Sequence, residues 1–435
     1  MSTTTSYKVT SNQLHLFIPV GRELFTSCIP FRESILQLDA VYKSIVGTSL
    51  IDSSGLFTDA PKDSRDLLGD PWPITVTLPA LTMIQLALVD ALAAVGVTPD
   101  VVVGHSAGET AVLAASGSGT KEMALEVAIA RGRAFALVED AKGTMAAVSC
   151  SPKDARGIIE EVLKELGDGV LTVGCYNSPN AITLSGAETH IDAAVTKASA
   201  RGIFARKLRT RVPVHSQIME GCAEEFQTLV SDVFTRHSVV TPSIETYSAT
   251  TGEAFNRLFD YQYFWDGTIG PVRFNDAITA LLARHRVATF VEIGPHPALA
   301  SYLTEHGSTV TVTCPLRRPR KPEPGIEVHE FVSALGKIVV AGHNCVDFDV
   351  LCGVLPAEKR SRTKTPPYPF APKLVPWAVR SPEITRQRQK RNGPMNYRQL
   401  AMNVKTHPGL ADHIIKGEPI MPAAGFIEMV GTSSG

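Results

Sequence analysis

Two features that would narrow the chemistry at once are missing from this 435-residue sequence: paired cysteines and an excess of charge. The seven cysteines (Cys28, Cys150, Cys175, Cys222, Cys314, Cys345 and Cys352) are odd in number, scattered, and include no C-x-x-C pair. That excludes a disulfide framework and a thiolate zinc site, and it fits a reducing, cytoplasmic setting. The formal net charge is −1, so bulk charge draws the chain neither to nucleic acid nor to a membrane surface. No run approaches eighteen uninterrupted apolar residues, and Met1 to Tyr7 is polar, so neither a spanning helix nor a signal peptide is predicted. There is no internal repeat. What is plentiful is apolar side chain, 44% of the residues, enough for two or three domains with sizeable cores.

The pattern predicts an α/β fold. Residues 1–13 are Ser/Thr-rich and read as a frayed end, and Leu14 to Val20 reads as the first strand. Glu23 to Val46 has apolar residues at helical spacing, and Asp52 to Asp70 reads as loop with short helical pieces. Pro79 to Val95 reads as an apolar core helix and Val101 to Val103 as a buried strand. From Gly143 the order becomes β-α-β-β-α-β, the split pattern of a ferredoxin-like unit, inserted over 143–210 into a main layer over 14–314. Arg211 to Ser216 marks the return, and Gly294-Pro295-His296-Pro297 ends a later strand. Residues 315–395 read as a linker: Pro315 to Gly325 is basic and proline-rich, and Lys364 to Pro376 holds five prolines. A third composition begins at 396 and runs to 435.

The stretch with chemistry in it comes after the Val101 to Val103 strand. Gly104-His105-Ser106-Ala107-Gly108 is a Gly-x-Ser-x-Gly turn between a strand and a helix, the pattern of a nucleophile elbow. A buried strand gives the turn a rigid base, and small residues at 104 and 108 let neighbouring backbone pass close. The next helix sets free N–H groups and the positive end of its dipole beside the serine oxygen. An oxyanion formed there is stabilised, with the N–H of Ala107 as the first donor. Taken alone, the turn fits an ordinary serine equally well.

Several motifs in order resemble the acyltransferase domains of polyketide synthases, in the wording of the fungal iterative, reducing kind. They are Gly104 to Glu109, Ala130-Arg131-Gly132-Arg133, Tyr176-Asn177-Ser178-Pro179, Val214-His215-Ser216 and Glu292 to Pro297, spread over residues 14 to 314. The resemblance implies a hydrolase-like parallel-sheet subdomain carrying an inserted ferredoxin-like α+β subdomain. It implies Ser106 as nucleophile and His215 as its base, held by a backbone carbonyl expected near Gly294 to His296 rather than by an aspartate. It implies Arg131 as the bidentate partner of an acyl carboxylate, and His105 as a residue packed beside the serine. Malonyl-CoA and an acyl carrier protein would be the partners, other synthase domains such as a ketosynthase the neighbours, and the phosphopantetheine thiol the acceptor. No bound cofactor and no metal are called for. His413, with Gly417 and Pro422, resembles the opening of a dehydratase domain, whose remainder is expected outside this chain.

Two departures temper that reading. The family's first strand leads into a Gly-Gln-Gly turn, which supplies the second oxyanion donor. A strand over Leu14 to Val20 runs straight into Gly21-Arg22 without one, which predicts slow loading, with Gln85 on the core helix as a substitute donor. The asparagine usual near Pro271 to Phe274 is replaced within Asp266-Gly267-Thr268. The competing expectations are a serine esterase, for which the usual His-Gly-Gly-Gly-type loop is missing, and an impaired synthase fragment serving as a docking module.

Overall fold

The computed structural model describes residues 6–11, 20–57, 68, 71–285, 288–318, 323–352, 414–415 and 417–420. The chain begins with β1 (Ser6–Ser11), then α1 (Arg22–Ser27), α2 (Ile29–Val46), α3 (Leu50–Ser54) and α4 (Ile74–Ala94). Next come β2 (Val101–Val103), a tight 3-10 turn over Ser106–Gly108, α5 (Glu109–Ala115) and α6 (Lys121–Ala136). Thr120 starts α6 by accepting the Met123 N–H on its hydroxyl.

The inserted unit is β3 (Gly143–Val148), α7 (Pro152–Leu166), β4 (Leu171–Ser178), β5 (Ala181–Ala187), α8 (Glu188–Ala200) and β6 (Ala205–Lys207). Its sheet order is β4-β5-β3-β6 with every pair antiparallel, the ferredoxin-like arrangement read from the sequence. The main layer resumes with α9 (Ala223–Arg236), β7 (Glu245–Ser248), β8 (Glu253–Ala254), α10 (Tyr261–Ile269) and α11 (Phe274–Arg284). It closes with β9 (Ala288–Ile293), α12 (Ala300–Thr304), β10 (Val310–Thr313), α13 (Ile326–Val340) and α14 (Phe348–Leu351).

The main sheet runs β10-β9-β1-β2-β7-β8, parallel except for β8. Such a sheet is buried on both faces, and Val101, Val102 and Val103 are fully buried, as a β-branched run requires. α4 packs against α2 and α6. It is long and apolar enough to cross a membrane, yet most of it is buried inside the fold, which is the environment of a core helix.

Three expectations need correction. The first strand is Ser6–Ser11, inside the segment read as frayed, and it pairs with β2 on one side and β9 on the other. Of the segment read as that strand, residues 14–19 lie outside the described residues and Val20 is in a turn. α4 starts at Ile74, so Pro79 sits inside it; a missing N–H near a helix start removes a single backbone bond. The fold also continues past residue 314. Glu327 at the start of α13 accepts the N–H groups of Gly21 (2.7 Å) and Glu23 (2.9 Å), while Glu23 accepts those of Gly325 and Glu327 (2.6 and 2.8 Å). Each carboxylate caps the other's helix N-terminus, so part of the supposed linker belongs to the first unit.

That unit spans Met1–Arg360; a second spans Ser361–Gly435. In the second, the described residues form a two-strand antiparallel hairpin, Ile414–Ile415 with Glu418–Pro419, turning at Gly417 with φ +84°. His413 and Pro422 lie outside the described residues.

Candidate active site

The elbow forms as its residue types demand. Ser106 leaves β2 with φ +55°, a left-handed conformation that a side chain rarely adopts. Gly104 has a steric reason to be glycine: a Cβ there would stand 2.7 Å from the Glu109 Cδ and 2.8 Å from its Cα. Ala107 is buried in the turn that leads into α5, where the first N–H groups lack intrahelical acceptors.

His215 meets the serine: its Nε2 is 2.7 Å from the Ser106 Oγ. It also has a positive φ, +68°, and among the described residues only Phe57 and Lys142 share that feature with the pair outside glycine. Strain of this kind persists where surrounding contacts fix it, and it gathers at functional sites. Those contacts come from both subdomains. The His215 N–H donates to the Thr268 carbonyl (2.8 Å), and the Nδ1 lies 3.0 Å from the Gly270 carbonyl. Ser185 of β5 donates to the Val214 carbonyl, and β4 joins the same region through Tyr176 N–H to the Val272 carbonyl.

The orienting carbonyl therefore belongs to Gly270 and not to Gly294–His296. Residues 211–216, which carry His215, form an irregular loop. Gly270 accepts the Nδ1 proton, which leaves Nε2 free to take one from Ser106. Burial pushes the His215 imidazole down to about 3, against the pull of the Gly270 bond, so the ring is neutral at pH 7.

Arg131 lines a narrow cleft with Ser106, closed on the other sides by Glu109, Ala249, Thr250, Tyr263, Phe264, Gly267, Pro271 and Val272. The guanidinium is almost wholly buried, at 3% exposure. Nη1 donates to the Thr110 hydroxyl, Cζ lies 5.5 and 5.6 Å from the centres of the Phe135 and Phe264 rings, and Nε has no hydrogen-bond partner. Burial lowers its pKa to about 10, with Glu109 acting in the other direction, so it stays charged. A buried cation with donors in reserve suits an anionic group entering the cleft.

His105 is fully buried, as expected of a packed neighbour of the serine. Its Nε2 is 2.8 Å from the Asn177 Oδ1, its ring meets Phe274 edge-on, and burial lowers its pKa to about 4. Gln85 is buried within α4 and is not among the residues lining the cleft. Among the described residues no group of three or more His, Cys, Asp or Glu could hold a metal.

Sequence reading missed Gly270, Glu109 and Tyr263. Glu109 was visible as the last residue of the elbow motif. Tyr263 carried no signal, and a backbone carbonyl such as that of Gly270 has none to carry.

The family model of the acyl transferase domain matches residues 19–344. A highly reducing polyketide synthase of Strobilurus tenacellus is 42% identical over 97% of this chain, and one of Aspergillus luteorubrus is 30% identical over 88%. The chain spans only 15% and 13% of those two proteins. The acyltransferase domain from the second module of the salinomycin polyketide synthase superposes with a TM-score of 0.69 at 27% identity, covering 85% of this chain and 80% of that one. The malonyl CoA-acyl carrier protein transacylase of Clostridium perfringens shares the fold, with a TM-score of 0.62 at 23% identity over 78% of this chain and 100% of its own. The elbow, the Ser106–His215 pair and these similarities lead to one conclusion: the chain belongs to the acyl transferase domain family, in the form carried by fungal highly reducing polyketide synthases.

Proposed function

We propose that this domain moves a malonyl-type acyl group from coenzyme A to the phosphopantetheine thiol of an acyl carrier protein, through an acyl ester on Ser106. His215 Nε2 takes the Ser106 proton as the oxygen attacks the thioester carbonyl. The C–S bond then breaks, and the imidazolium returns the proton to the departing CoA sulfur. The pantetheine thiol reverses these steps: His215 takes its proton, the sulfur attacks the ester, and Ser106 leaves with the proton. The Ala107 N–H serves the oxyanion.

The observation that carries the acyl class is Arg131, charged, buried and with Nε unpartnered in the cleft that holds Ser106. A malonyl carboxylate matches those donors, and an acetyl group does not. The Gly270 carbonyl on His215 supports a pair that works without an aspartate. We place the domain beside the ketosynthase and other domains of a larger synthase, and read residues 396–435 as the opening of a dehydratase domain with His413 as its base. All seven cysteines are free, which supports a reducing, cytoplasmic setting.

Intact-mass measurement tests the core of the reading. Malonyl-CoA should add one malonyl group to the chain and none to Ser106→Ala. A malonyl adduct that persists in the variant overturns the assignment.

A further inference from the structure

Glu109 has no part in the transfer just described, yet it lines the same cleft as Ser106 and Arg131. Its carboxyl folds back under the elbow into the space that Gly104 leaves. Oε1 accepts the Ala249 N–H at 2.9 Å and Oε2 accepts the Tyr263 hydroxyl at 2.7 Å. Neither oxygen is hydrogen-bonded to Arg131, whose bond goes to Thr110. The two buried charges therefore line one cleft and act on each other electrostatically without a hydrogen bond between them, in a setting of low dielectric.

Resting on the reading of Arg131 above, we infer that Glu109 determines acyl selectivity: ionised, it is the counter-ion of Arg131 in the empty cleft, and it takes a proton from solvent when the acyl carboxylate seats on Arg131. A second carboxylate beside one guanidinium disfavours two ionised groups, and one of them neutralises. Glu109 is the one already placed to do so. Burial outweighs its two hydrogen bonds and the Arg131 charge and raises its pKa to about 7.

The hydrogen bonds can rearrange with the proton. Tyr263 also lies 2.8 Å from the Ser248 Oγ. Once Glu109 carries a proton it donates to the Tyr263 oxygen, and the Tyr263 hydroxyl turns to Ser248. Glu109 and Tyr263 keep hydrogen-bond partners in both states. The other shifted groups around the elbow and the cleft do not compete near pH 7: His105 and His215 are neutral, and Tyr263 is held well above the ordinary tyrosine range by burial.

The experiment compares loading of Ser106 by malonyl-CoA and by acetyl-CoA between pH 6 and 8, read by intact mass on wild type and Glu109→Gln. One proton lost with a midpoint near 7 makes the malonyl-to-acetyl ratio of wild type fall about tenfold over that range. In Glu109→Gln the ratio should stay within about twofold, because the amide cannot titrate. Wild type alone gives a second reading, since an indicator dye at pH 7 should report about half a proton taken up per malonyl group and none per acetyl group. That count decides the matter if the variant does not fold. A malonyl adduct that forms with a flat ratio and no proton uptake overturns the inference and leaves the function standing. If acetyl loads and malonyl does not at any pH, the function reading falls and the inference with it.

Discussion

Acetyl loading of Ser106 should be nearly indifferent to acid down to pH 5, although the base proposed for it is a histidine. The neutral acyl group is the right probe because it leaves Glu109 out of the measurement. An ordinary imidazole titrates near 6.5, so its base form falls about thirtyfold between pH 8 and pH 5. Burial holds His215 at about 3, so at pH 5 only about one molecule in a hundred has lost the base. Rates from quenched samples weighed as intact protein should agree within about twofold from pH 8 to pH 5. A limb centred near 6.5 would refute the argument: it would mean that the Ser106–His215 pair opens to water before it reacts.

The same shifts cost stability, and their sign shows whether the protein is still folded at pH 5. His215 and His105 have lowered pKa values, so the unfolded chain binds more protons below 6.5, and stability is lost as the pH falls. At pH 5 that loss is about 2 kcal/mol for each. Glu109 is raised to about 7 and works the other way, regaining about 2 kcal/mol between pH 7 and pH 5 as the folded state takes up its proton. The net loss of about 2 kcal/mol is smaller than the stability of an ordinary domain, so the assay should read folded protein. Melting curves at both pH values check this.

Arg131→Ala should slow malonyl loading about 10- to 100-fold, the worth of a hydrogen bond to a charged group, while acetyl loading stays within about threefold; an unchanged malonyl-to-acetyl preference removes Arg131 from the site. Gly104→Ala places a Cβ within 3 Å of the Glu109 Cα, Cδ and backbone nitrogen, so overpacking should cost about 1–3 kcal/mol, lower the melting temperature by a few degrees and slow loading.

The part of the fold that was legible in the sequence was written in side chains of one kind. Three valines before Gly104 announce a buried strand, and the glycines around Ser106 announce the turn. The inserted unit showed through its alternating apolar runs. His215 was legible mainly through family resemblance, because one histidine among twelve, set beside a small serine, has only a weak local mark. Its partner was not legible at all. The Gly270 carbonyl is set by the path of the chain out of α10, and α10 itself has a mixed sequence, Tyr261-Gln262-Tyr263-Phe264-Trp265-Asp266, whose start is fixed by the Asp260 carboxylate accepting the Tyr263 N–H.

The first strand is where a local hydrophobic pattern goes astray, and the error bears on the loading rate. Leu14 to Val20 is the more apolar run, and apolar runs are the usual mark of a parallel-sheet strand. Yet β9 and β2 stand one strand apart, and each would offer an unpaired edge unless a third strand bonded to both. Ser6–Ser11 fills that gap, with Lys8 opposite Val101 on one side and Phe290 on the other. What selects it is a backbone demand on both sides at once, and no local hydrophobic pattern reports such a demand. Moving the strand moves its end, so Asn12-Gln13-Leu14 now comes directly after it in the sequence. The expectation of slow loading rested on a strand that ran directly into Gly21-Arg22 with no glutamine after it. With the strand ending at Ser11 that ground is gone.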